Sequence, residues 1–154
     1  MNKNSKGITL VSLVITIIIL MLITSVTVYT GTNVIKQVTL QNVNTDMMLI
    51  KAKVKTMEEQ AKFNKDNSNY KGTPLIDVHD NKKIDKLVDE EIVEDITKYY
   101  LLSKEDLNSM GLEKIDIADG YLVNYESEEI IYVRGLKKDD NMYYKLSDIK
   151  DLKY

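Results

Sequence analysis

The stretch Ile8-Thr9-Leu10-Val11-Ser12-Leu13-Val14-Ile15-Thr16-Ile17-Ile18-Ile19-Leu20-Met21-Leu22-Ile23-Thr24-Ser25-Val26-Thr27-Val28-Tyr29 decides the reading of this 154-residue chain. No charged residue occurs between Lys6 and Lys36. At ~1.5 Å rise per residue, about 20 apolar residues in a helix span the hydrocarbon core of a bilayer. A buried core helix of this character needs a large protein around it, and a chain of 154 residues does not supply one. A single membrane-spanning segment is therefore expected. Lys3 and Lys6 are the only charges on its amino side, which by the positive-inside rule places that end in the cytoplasm and the carboxy-terminal part outside. A cleavable secretory signal has an apolar stretch of roughly 7–15 residues followed by a small-x-small site. Here the run is longer, and Thr24, Ser25 and Thr27 make no such pattern.

Composition narrows the chemistry. The absence of Cys removes disulfide scaffolds, thiolate metal sites and cysteine nucleophiles together. A lone His79 leaves no multi-histidine metal site. A formal net charge of −3 argues against nucleic acid as the main partner, because phosphate neutralisation needs a basic face. The ten tyrosines read as sheet packing in preference to a contact surface.

The junction Lys6-Gly7-Ile8-Thr9-Leu10-Val11 joins a short basic leader, a glycine and immediate hydrophobicity. It resembles the prepilin cleavage segment of type IV pilins and of the pseudopilins of type II secretion and competence systems. The resemblance implies that a prepilin peptidase cuts between Gly7 and Ile8 and that Ile8 carries a methylated amine. It further implies that the apolar helix anchors the subunit and then forms the core of a filament with other pilin-like subunits and the assembly machinery. Two departures stand out. Ser12 occupies the position where the family usually carries Glu, whose carboxylate pairs with a neighbouring amino terminus. The family's helix-kinking proline is missing, since the only proline is Pro74. Both departures point to a minor or divergent subunit.

The next stretch tests this independently. Leu40, Val43, Met47, Ile50, Val54, Met57 and Ala61 recur at alternating spacings of three and four, one face of a helix. Lys36, Lys51, Lys53, Lys55, Glu58, Glu59 and Lys62 fall mostly off that stripe. No Gly or Pro interrupts Thr32 to Asp66. One continuous helix from Ile8 to about Phe63 is expected, on the order of 84 Å long, with residues 31–63 as an amphipathic stem and 64–154 as a globular head. A coiled-coil stalk would show the same spacing.

Asn64 to Pro74 reads as a loop, Leu75 to Val78 as a short strand and Ile84 to Ile96 as a helix. Tyr99 to Leu102 is extended. Ser103 caps a helix with Asp106 in a capping-box role, and Gly111 ends it. Tyr121–Tyr125 and Ile130–Arg134 form a hairpin around Glu126-Ser127-Glu128-Glu129. Met142 to Leu146 adds a strand, and Ser147 caps a last helical turn. The fold class is α+β, pilin-like: a long amino-terminal helix packed on a small antiparallel sheet. The segments Leu102–Leu107, Met110–Leu112, Gly120–Tyr125 and Glu129-Ile130 also resemble a carboxy-terminal module of clostridial and related Gram-positive pilin-like proteins.

Charge divides along the chain. Residues 36–65 carry a balance of +3 and residues 66–154 a balance of −8, so a basic stem of one protomer can attract the acidic head of another. Solubility of an exported domain explains the same acidity. Catalytic candidates are few. His79 has Asp77 and Asp80 beside it, but a triad is spatial and a surface loop is the plainer reading. Asp89-Glu90-Glu91 and Glu126/Glu128/Glu129 read as solvated faces. Asp139-Asp140-Asn141 offers hard oxygens of the kind Ca²⁺ takes, without further ligands nearby. No phosphate-binding glycine loop and no GxSxG motif is present. The expectation is a structural subunit without catalytic activity, cofactor or metal. The alternatives are a non-assembling single-pass protein whose extracytoplasmic domain binds a partner, and a secreted hydrolase released behind a signal.

Overall fold

Uninterrupted helix-compatible sequence becomes one long element. In the computed structural model, which describes residues 5–116 and 120–153, α1 runs from Ser5 to Asn64, 60 residues. Side chains are described for residues 12–21 and, within those bounds, from residue 39 onward. The chain divides into two compact units, an amino-terminal one ending at Thr39 and a second one from Leu40 to Lys153.

In the second unit the expected stripe is the buried face of α1. Met47, Ile50 and Val54 are fully buried, with Leu40, Val43 and Ala61 nearly so and Met57 partly covered. They share one core cluster with Leu102, Tyr121, Val123, Ile130, Tyr132 and Leu136 from the sheet and with Tyr125 just after β3. Glu58 departs from expectation. It lies four residues after Val54, on the same helical face, and is only 7 % exposed.

The sheet is a five-stranded antiparallel meander in sequence order: β1 (Thr73–Pro74), β2 (Tyr99–Leu102), β3 (Tyr121–Asn124), β4 (Ile130–Lys138) and β5 (Asn141–Lys145). Alternation along a strand sends successive side chains to opposite faces, and here both faces are covered. Leu122, Ile131, Val133 and Tyr144 point away from α1 into a second cluster with Leu75, Ile84, Leu87 and Val93. That explains why β3 is buried at every position. The class is α+β.

Three local expectations are corrected. Leu75 to Asp77 is a 3₁₀ turn, and the strand lies just before it at Thr73–Pro74. Pro74 has no N–H to give a ladder, so it sits on the edge strand and the extended run stops there. α2 covers only Lys82–Asp89. Glu91 enters the left-handed region at φ 57°, and the amides of Ile92 and Val93 both return to the Leu87 carbonyl, which closes the helix early. Ser147 lies inside α4 (Leu146–Ile149) and does not cap it. Its amide instead donates to Glu129 Oε1 at 3.3 Å.

The capping and hairpin expectations stand. α3 (Lys104–Ser109) begins with a full capping box between Ser103 and Asp106, and Gly111 follows it at φ +76°. The β3–β4 loop is organised by Asn124, whose Oδ1 accepts the amides of Glu126 and Ser127 at 3.0 and 3.1 Å. Asp139 and Asp140, both left-handed, form the two-residue β4–β5 turn, the type that matches strand twist.

Candidate functional site

Residues 12–21 of α1 are exposed at every position, including Leu13 (61 %), Leu20 (58 %) and Met21 (68 %). The hydroxyl of Thr16 is turned back onto the helix, donating to the Ser12 carbonyl at 2.8 Å, so it makes no outward polar surface. A helix apolar on all sides is stable only where its whole circumference meets apolar surroundings. Among the described residues no helix is long and apolar enough to cross a membrane. The run Ile8–Tyr29 extends beyond the described side chains at both ends. Ser12 lies on this exposed segment. Lys3 lies outside the described residues. Lys6, Gly7 and Ile8 lie within the span of α1, and their side chains are outside the described set.

A second assembly of polar groups surrounds Glu58, near the end of α1. Tyr70 donates its hydroxyl to Glu58 Oε2, and Lys62 Nζ lies 2.9 Å from Oε1. Tyr70 stacks on Tyr125 with ring centroids 3.9 Å apart, and Tyr100 meets both rings edge-on. The Tyr125 hydroxyl accepts from the Lys71 amide at 2.8 Å and donates to the Lys71 carbonyl at 3.0 Å. These contacts fasten the loop after α1 to both helix and sheet. The Tyr70 bond, then Lys62, holds the Glu58 carboxyl below its ordinary value. Burial, then the same carboxylate, raises the Tyr70 phenol. Burial pushes Tyr125 up to about 12. Both partners therefore stay in the charge states that the Tyr70–Glu58 bond requires. Because the folded carboxyl titrates below its ordinary 4.5, the stabilisation is complete above that pH and is lost as pH falls beneath it. Glu58→Gln should cost about 1 kcal/mol at pH 7. The gap to the parent should close toward pH 3 in urea titrations, and a pH-independent gap would contradict this account.

This cluster was not anticipated from sequence. Its signal was present in the spacing, since Glu58 falls on the apolar stripe, where an acid needs a partner.

The catalytic candidates do not converge. His79, Asp77 and Asp80 are all exposed around the 3₁₀ turn. Asp89, Glu90 and Glu91 lie at the exposed end of α2, Glu126 pairs with Lys98 at 3.0 Å, and Asp140 lies 3.3 Å from Lys137. Among the described residues no group of three or more His, Cys, Asp or Glu side chains is placed to hold a metal ion. A surface cavity of about 440 Å³ opens between the end of α2, β5 and α4, lined by residues including Glu91, Ile92, Glu129, Met142, Tyr144 and Asp148. Its lining carries the carboxylates of Glu91, Glu129 and Asp148 beside Lys145 and Ser147, and Ile92 and Met142 add apolar surface. No protein-family model matches the chain, and neither does any curated protein or solved structure.

Proposed function

We propose that the chain is a pilin-like structural subunit, cut between Gly7 and Ile8 by a prepilin peptidase. It is held in the membrane by Ile8–Tyr29 with Lys3 and Lys6 in the cytoplasm, and is then assembled into a type IV pilus or pseudopilus. The observation that carries the reading is the exposed segment at residues 12–21, whose apolar circumference needs either lipid or neighbouring helices. Those two environments are the ones a subunit occupies before and after assembly. The seating of the α1 stripe on an antiparallel sheet supports the same reading. Ser12 brings no carboxylate into the apolar run, so the subunit enters lipid without the cost of a buried charge and without that assembly contact. This favours a minor or divergent subunit.

The test is the amino terminus of the mature protein, read by mass spectrometry from cells with their own prepilin peptidase. The expected terminus is a methylated Ile8, and Gly7→Val should leave nearly all of the chain uncut. A native chain that still starts at Met1 would establish the alternative of a non-assembling single-pass binding domain. A terminus beyond Tyr29 would establish a secreted domain.

A further inference from the structure

Two surfaces of the Leu40–Lys153 unit are complementary. The first is the cavity just described. Glu91 and Asp148 in its lining pair with no cation among the described residues, while Ile92 and the 43 %-exposed Met142 supply apolar surface beside them. Lys145, also in the lining, is paired with Glu94 at 3.6 Å. The second surface lies on α1. Met48, Lys51, Ala52 and Lys55 follow the i, i+3, i+4, i+7 spacing and so share one face. That face is rotated away from the buried Ile50–Val54 stripe. Met48 is 58 % exposed, Ala52 is small enough for close approach, and neither lysine pairs with a carboxylate among the described residues.

We propose that the cavity of one copy receives this lysine-bearing face of α1 from a second copy, with Met48 over Ile92 and Met142, and Lys51 and Lys55 toward Glu91 and Asp148. This deepens the filament reading and rests on it. The surfaces are different patches of one molecule, so the contact is heterologous. Each copy that docks leaves one cavity and one lysine face open for the next, so the contact repeats head to tail, and a rotation that does not close on itself makes that repeat a filament, where a two-fold contact would stop at a dimer. The charges steer and register the contact, and Met48 excludes water from its centre.

The chain has no cysteine, which makes the test clean. Two differently tagged full-length chains are co-expressed in membranes, one carrying Ala52→Cys and the other Met142→Cys, and mild oxidation is followed by capture through both tags. The proposal expects a disulfide-linked pair well above a control in which Asn108→Cys, an exposed position on α3, replaces Met142→Cys. Reversing Glu91 and Asp148 to Lys on the Met142→Cys chain should cut the yield about fivefold, as should reversing Lys51 and Lys55 to Glu on the other. Both reversals together should restore it, which misfolded variants would not do. Yield at the control level, or reversals that neither lower nor mutually rescue it, would overturn the proposal. Processing is read in the same cells. Filaments with a terminus at Ile8 but no such pair would leave the filament reading standing and remove this contact. The pair without processing would do the reverse.

Discussion

Ile50→Ala should lower the unfolding free energy of the Leu40–Lys153 unit by about 3 kcal/mol, because it removes a branched side chain from a fully packed site and leaves a cavity. Ile50 is 0 % exposed and sits between Met47 and Val54, where α1 meets Tyr121, Val123 and Ile130 of the sheet. Domains have only about 5–15 kcal/mol in total, so this one change consumes a large share. Leu49→Ala is the internal control. It lies one residue away on the same helix but is 47 % exposed, and should change stability by less than about 0.5 kcal/mol. Since Ala is the better helix former at both positions, a difference between the two variants reports packing, not propensity. Urea midpoints at unchanged slope measure it. A loss below about 1 kcal/mol at Ile50 would mean that the stripe is not seated on the sheet in solution.

Gly135→Ala should be about as damaging, near 3 kcal/mol, by a different route. Gly135 has φ +70° within β4, where the register with β5 shifts between Ile131 and Leu136. A β-carbon there would lie 2.6 Å from Tyr144 Cε1 and 2.8 Å from Met142 Cε. The substitution therefore combines left-handed strain with a clash against a ring that is itself buried in the second cluster. Gly111 separates the two contributions. Its φ is +76°, but nothing lies within 4 Å of the β-carbon position, so Gly111→Ala should cost only about 1 kcal/mol. Thermal or urea unfolding of both variants tests the comparison. Equal losses would show that backbone strain alone accounts for Gly135. Because Tyr144 and Met142 also line the acidic cavity, Gly135→Ala should weaken the Ala52–Met142 cross-link as well.

Features governed by residues close in sequence were legible in advance. The α1 stripe follows from a repeat of three and four, the Ser103–Asp106 capping box from a spacing of three, and the hairpin strands from runs of β-branched and aromatic residues. Where expectation and structure differ, burial or pairing elsewhere in the fold had outweighed local preference. The apolar run at Leu75 became a 3₁₀ turn because Gly72 to Pro74 is held against β2, with Thr73 opposite Leu101. The helix expected to reach Ile96 stops at Asp89 because Ile92 and Val93 are drawn to the Leu87 carbonyl, and Val93 is buried in the second cluster. Ser147 lost its capping role to Glu129, 18 residues earlier.

The apolar run at 8–29, the unbroken helix and the α+β class are legible in the residues alone. Periodicity, charge gaps and the absence of Gly or Pro are local properties, and helix and strand formation answer to them. Which groups far apart along the chain come together is set by the packing of the whole unit. It brought Glu58 to Tyr70 and Tyr125, covered the sheet on both faces, and set Glu91, Met142 and Asp148 around one cavity. The physical reason is that burial and close packing act on distance in space, and a meander folds residues 50 or more positions apart into contact.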